Sequence, residues 1–353
     1  EMKISQYFEL QPYSLLPHKK ELYFFKLIKE INKKHKKNSM YYKKFFNHIV
    51  KKKNIKKLSD LPYLTTNIFK EMEIKSIRDE KVFKVLNSSG TTGSNLSKIY
   101  LDKKNSENQI KILNKIVSSV IGKKRIPMII IDKKPKLLNR KEFNAKYAAY
   151  NGFSIFGKNN KYILNENNEI DYPMLNSFLN KYGSEKFLLF GFTYLVYTNL
   201  FTKLNLNKIK MNFKNGILLH GGGWKKLNKI KVSNKEFRNQ IKRKIGLKKI
   251  INYYGMVEQT GSIFLECDKC SSFVTSIYSD IIIRDKYLNE IKDNKIGFIQ
   301  SLSLLPSSYP GHSILTEDLG KLINNNCSCK KKGKRFLVLG RTEKSEIRGC
   351  SDV

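Results

Sequence analysis

Ile217-Leu218-Leu219-His220-Gly221-Gly222-Gly223-Trp224-Lys225 is a short apolar run that stops on three glycines. An apolar run of this length, bounded by turn formers, reads as a strand buried on both faces. The same form recurs at Phe187-Leu188-Leu189-Phe190-Gly191 and at Ile250-Ile251-Asn252-Tyr253-Tyr254-Gly255. Pro127-Met128-Ile129-Ile130-Ile131-Asp132 is a further apolar, β-branched run, bounded by Pro and Asp. Helical stretches such as 234–245 lie between these runs. Buried strands alternating with helices predict an α/β fold, a mainly parallel sheet covered by helices on both faces. Ligands of such sheets bind at the carboxyl ends of the strands, where these glycines fall.

Working outward, residues 1–60 carry apolar residues at helical spacing, as in Glu21–Lys29 and Tyr41–Val50, and read as a helical segment. Leu61-Pro62 breaks that pattern and opens the α/β core, placed at 61–262. From about Ile263 the texture changes to short alternating strands, among them Ile281–Arg284, Gly297–Gln300 and Phe336–Gly340. Residues 263–340 therefore read as an antiparallel, β-rich subdomain, followed by a tail at 341–353.

Composition bounds the function. With 353 residues, 40% hydrophobic and 12% aromatic, the chain can bury a sizeable core and is not a disordered polymer. No run of 18 apolar residues implies no membrane-spanning helix. The start, Glu1-Met2-Lys3-Ile4-Ser5, lacks the apolar stretch of a secretory signal, so a cytoplasmic location is expected. The formal charge of +38 is nearly all lysine and accompanies abundant Asn and Ile, the mark of A- and T-rich coding. No arginine stripe or aromatic strand platform accompanies it, which disfavours a nucleic-acid-binding protein. A positive field still attracts anionic substrates.

Ser88-Ser89-Gly90-Thr91-Thr92-Gly93 follows a predicted strand at Val82–Leu86. Its backbone N–H groups and hydroxyls suit phosphate oxygens, and its spacing is not that of a Walker loop. Here the sequence resembles the adenylate-forming ligases. Its nearest likeness is to the acyl-protein synthetases of bacterial fatty acid reductase complexes, followed by relatives of phenylacetate–CoA ligase. The resemblance runs from about Leu61 to Val353 and rests on segments in the family's order. Ser88–Gly93 resembles the phosphate loop, and His220–Lys225, with Trp224, the glycine loop over the adenine. Tyr254-Gly255-Met256-Val257-Glu258 is similar to the segment whose tyrosine contacts the nucleotide and whose Glu helps hold magnesium. Thr316-Glu317-Asp318-Leu319-Gly320 is similar to the segment whose Asp binds the ribose hydroxyls. Gly340-Arg341-Thr342-Glu343-Lys344 resembles the hinge, and Arg348-Gly349-Cys350-Ser351-Asp352 the end whose cysteine carries the acyl group.

The resemblance implies ATP and Mg²⁺ as cofactors and a carboxylic acid, of fatty type, as substrate. Attack on the α-phosphate builds charge on its oxygens, which donors and Mg²⁺ offset. Glu258 is the expected Mg²⁺ ligand, and Cys350, near Arg341, Lys344 and Arg348, the expected nucleophile. Acyl-AMP would pass its acyl group to Cys350 and then to an acyl reductase partner. The alternative is a ligase acting on coenzyme A or a carrier protein, with Cys350 incidental. Departures are visible too. Val257 stands where the family often has Thr, the proline that usually follows the phosphate loop is missing, and Lys98 comes later than the usual loop lysine. The usual small C-terminal domain and its adenylation lysine are expected to be absent, the sequence ending three residues after Cys350. The other cysteines form the pairs Cys267/Cys270 and Cys327/Cys329, with 56 residues between them. They read either as four free thiols or as the four ligands of a closed, structural Zn²⁺ site.

Overall fold

A computed structural model describes residues 2–49, 54–88, 96–135, 145–210, 212–223, 233–292, 294–324 and 327–341. Three helices open the chain: α1 (Ile4–Tyr7), α2 (Pro17–Asn38) and α3 (Met40–Ile49). Proline at the first turn of α2 loses no helical hydrogen bond there. Phe24, Leu27, Ile28, Ile31 and His35 recur every three or four residues and form its buried face. Next come β1 (Leu64–Thr65), α4 (Ile68–Glu71) and a hairpin of β2 (Lys84–Asn87) with β3 (Lys98–Leu101). Helix α5 (Lys103–Ile121) follows, capped by the Asp102 carboxylate on Asn105 N–H at 2.7 Å.

The parallel part alternates strand and helix: β4 (Ile126–Lys133), α6 (Ala145–Ser154), β5 (Gly157–Leu164), α7 (Tyr172–Tyr182) and β6 (Phe187–Phe192). It continues through α8 (Thr193–Leu195), which runs on into a turn of π-helix, then β7 (Gly216–Gly221), α9 (Asn234–Ile245) and β8 (Lys249–Tyr254). All pairings along β5-β4-β6-β7-β8 are parallel. Two cores explain why these strands are apolar throughout. Met128, Ile130, Leu188, Phe190, Ile217 and Leu219 enter the core on one face, together with Phe24 and Ile28 of α2 and Ile112 and Ile116 of α5. Their neighbours Ile129, Ile131, Phe187, Leu189 and Leu218 enter the other, with Leu175 of α7 and Phe237 and Ile241 of α9. Alternate residues point to opposite faces, so a strand buried on both must be apolar at every position.

The remaining strands are β9 (Phe264–Glu266), β10 (Phe273–Val274), β11 (Ser279–Arg284), β12 (Glu290–Ile291), β13 (Gly297–Ser303), β14 (Ser313–Ile323) and β15 (Arg335–Arg341). They pair antiparallel, and β9 hydrogen-bonds to β8, giving a 13-stranded sheet in the order β12-β11-β13-β14-β15-β10-β9-β8-β7-β6-β4-β5, with β1 alongside β14. The change of texture near Ile263 thus marks a switch of strand direction inside one continuous sheet. Among the described residues no helix is long and apolar enough to cross a membrane.

Candidate functional site

The carboxyl ends of β6, β7 and β8 lie side by side, Phe192 opposite Gly221 and Gly221 opposite Tyr253. Glycine is required at this edge. A Cβ on Gly221 would stand 2.4 Å from the Tyr253 ring, and Gly222 has φ +78°, a conformation that side chains disfavour. The Tyr253 ring therefore lies against the glycine backbone, itself stacked on Phe190. His220, just before the glycines, is 1% exposed. Its Nδ1 lies 2.9 Å from Thr193 Oγ1, whose hydroxyl donates to the Gly221 carbonyl at 3.1 Å. That donor direction makes Nδ1–H the donor to Thr193 and leaves Nε2 as an acceptor, with no partner among the described residues. Burial pushes the imidazole down to about 3, with Arg238 adding to the effect, so the ring is neutral. His220 anchors the glycine turn to the start of α8.

Beyond β8 the chain turns through Gly255 into a 3₁₀ turn, Val257–Gln259. Glu258 is 6% exposed, and its Oε1 accepts from Ser97 Oγ at 2.8 Å. Burial holds its carboxyl above the usual range, offset in part by its own backbone N–H and by Ser97. The turn is clamped from below. Tyr309 donates to the Glu258 carbonyl, and Gln259 spans the Ser301 and Gly311 carbonyls while accepting from Ser301 Oγ. Ser97 closes the base of the β2–β3 hairpin, donating its N–H to Ser88 Oγ at 2.9 Å, while Ser88 N–H donates to its carbonyl. Ser88 and Glu258 thus meet through one serine. Ser89, Gly90, Thr91, Thr92 and Gly93 lie outside the described residues. Lys98 pairs with Asn87 in the hairpin and is exposed.

The third part of the site comes from the antiparallel strands. Asp318 on β14 stands opposite Arg341 on β15. Its Oδ1 accepts from Arg341 Nε at 3.0 Å and its Oδ2 from the Tyr254 hydroxyl at 2.6 Å. Burial and the neighbouring Asp318 raise the Tyr254 phenol far above its ordinary value, so it stays a donor. Residues from three segments that the sequence separates by up to 87 positions are thereby joined at the carboxyl edge of β8. Each oxygen of Asp318 keeps a free lone pair, which suits a pair of neighbouring hydroxyls.

Two neighbours escaped sequence reading. Ser97 carries no signal beyond its nearness to the Ser/Thr/Gly loop. Asp132, at the carboxyl end of β4, accepts from the Tyr150 hydroxyl at 2.6 Å and is 6% exposed. An acidic residue closing a wholly apolar strand was the available clue. Trp224 and Cys350 fall outside the described residues.

A family model described as acyl-protein synthetase, LuxE, matches residues 4–353. A search of curated proteins returns no significant match. Among solved structures, an open conformation of 2-hydroxyisobutyryl-CoA ligase with 2-HIB-AMP and CoA aligns with a TM-score of 0.71 and 12% identity, over 93% of this chain and 76% of that one. The same enzyme in its postadenylation state with 2-HIB-AMP aligns at 0.70 and 11% identity, over 94% and 69% of the two chains. At such identities the likeness concerns the fold, which is that of adenylate-forming ligases.

Proposed function

Because the chain belongs to the LuxE acyl-protein synthetase family, we propose that it activates a fatty acid with ATP and Mg²⁺ and carries the acyl group on Cys350 to an acyl reductase. The observation that carries this reading is the junction at the end of β8. There Tyr254, Asp318 and Arg341 form one hydrogen-bonded set, and Glu258 is tied through Ser97 to the base of the Ser88–Gly93 loop. Asp318 accepts the ribose hydroxyls, Tyr254 packs against the nucleotide, and the loop's N–H groups hold the phosphates. Glu258 fits Mg²⁺ as a single hard oxygen ligand, since that ion completes its shell with water and phosphate oxygens. Mg²⁺ when bound neutralises charge on the phosphate oxygens.

In the first step a carboxylate oxygen attacks the α-phosphorus, and pyrophosphate leaves. In the second the Cys350 thiolate attacks the acyl carbon, forming a thioester as AMP leaves. Protein incubated with Mg²⁺, ATP and a panel of fatty acids should exchange labelled pyrophosphate into ATP. Labelled acid should stay on the chain through denaturation and be released by neutral hydroxylamine. Cys350→Ser should keep the exchange and lose the labile label, because a hydroxyl is a far weaker nucleophile at neutral pH. If that variant forms thioester on free coenzyme A undiminished, the acceptor is coenzyme A and Cys350 is incidental.

A further inference from the structure

Four cysteine thiols gather where two turns of the antiparallel strands meet. Cys267 and Cys270 lie in the β9–β10 turn, and Cys327 and Cys329 in the β14–β15 connection. Pairing of β10 with β15, Phe273 opposite Phe336, brings the turns together across a 56-residue gap. We infer that Cys267, Cys270, Cys327 and Cys329 hold a structural Zn²⁺ ion that staples these two turns. Cys267 Sγ and Cys327 Sγ are 3.7 Å apart. Two thiolates at a tetrahedral zinc, each about 2.3 Å from the metal, stand roughly 3.8 Å apart, whereas a disulfide needs about 2.05 Å. Cys329 joins this pair, the three sulfurs lying within 4.8 Å of one another. Cys270 stands on the same turn as Cys267, its Sγ outside this group of three and 3.0 Å from Ser272 Oγ, and turned inward it would supply the fourth ligand.

A guanidinium stands beside two of the thiols. Arg335 donates to Cys270 at 3.2 Å and to Cys329 at 3.0 Å, offsetting the negative charge that four thiolates leave around one divalent ion. Each turn has a left-handed residue directly after its second cysteine, Ser271 at φ +54° and Lys330 at φ +58°. The first turn is also anchored from α9, where Arg238 donates to Ser271 Oγ and to the Asp268 carbonyl and pairs with Glu266. Four thiolates leave no open position, so the ion is structural. The strands it joins pack Phe264, Phe273 and Phe336 against the Tyr254 ring. Zinc thereby supports the strand ends that carry Tyr254, Asp318 and Arg341.

Purified without chelator, the chain should contain about one zinc per molecule by elemental analysis and native mass spectrometry. Of its five cysteines only Cys350 should react promptly with a disulfide reagent, and stripping the metal should expose four more. Exchange for Co²⁺ should yield the intense sulfur-to-metal and d–d absorption of a tetrahedral tetrathiolate. Cys329→Ser should weaken zinc retention and lower the melting temperature by several degrees. If that variant does not fold, the Co²⁺ spectrum of the native chain decides. Absence of metal with all five thiols reactive, a mass showing an intramolecular disulfide, or a Co²⁺ spectrum without thiolate bands would each overturn the assignment.

Discussion

Glu258 is where a single side chain separates chemistry from stability. It is buried, and the same burial that raises its pKa makes a neutral carboxamide an easy replacement. Glu258→Gln keeps an oxygen for the Ser97 hydroxyl and removes the charge that a magnesium ion needs. Pyrophosphate exchange should fall by 10-fold or more, about the 1.5–3 kcal/mol typical of a hydrogen bond to a charged group, while the melting temperature stays within a few degrees. An unchanged rate and Mg²⁺ requirement would show that Glu258 does not serve the metal. His220 is a different case. Its imidazole is held neutral between Thr193 and Phe237 and holds the glycine turn in place.

Strands β7 and β8 meet through Gly221, and the contact is testable as a fit between two elements. Gly221→Ala would push a methyl into the Tyr253 ring, an overpacking that costs about 1–3 kcal/mol. The melting temperature should drop by several degrees, and the ATP concentration needed for half-maximal exchange should rise as the ring is displaced. Gly223→Ala serves as the control, since among the described residues nothing lies within 4 Å of its added carbon. Equal effects from the two variants would show that flexibility of the turn, not its fit to Tyr253, is what glycine supplies.

The molecule as a whole buries three of its five histidines, His35, His220 and His312, and burial holds all three below the ordinary range. His35 and His312 stack at 5.0 Å, so charging one opposes charging the other. The sign follows from the reference state. Between the unfolded value near 6.5 and the depressed native value, the unfolded chain binds more protons, so stability falls as pH falls through that window. At pH 5 His35 and His220, whose native values lie near 3, each remove about 2 kcal/mol relative to pH 7, at 1.36 kcal/mol per unit, and His312 acts in the same direction. The denaturant midpoint should therefore drop steeply between pH 7 and pH 5, before ordinary carboxylates titrate. A flat profile across that interval would mean that these rings accept protons in the native state. The charge of +38 acts at this level too, as a positive field that favours the approach of anionic molecules.

The sequence by itself determined the parallel strands, because burial on both faces demands apolar residues at every position. Hence 187–191, 217–221 and 250–255 were readable and α9 was placed at 234–245. It also determined the family, because its phosphate, tyrosine and aspartate segments are short, contiguous strings in a set order. Strand β5 escaped notice because its exposed lysines and asparagines interrupt the apolar run, as an edge strand allows. Only the tertiary structure decided that the antiparallel strands continue the parallel sheet, since hydrogen bonding between β8 and β9 leaves no trace in side-chain periodicity. The same holds for Ser97 against Glu258, Tyr254 against Asp318, and the two cysteine turns against each other. These contacts join residues 60 to 161 positions apart, and such pairings are fixed by strand register, which a local pattern does not encode.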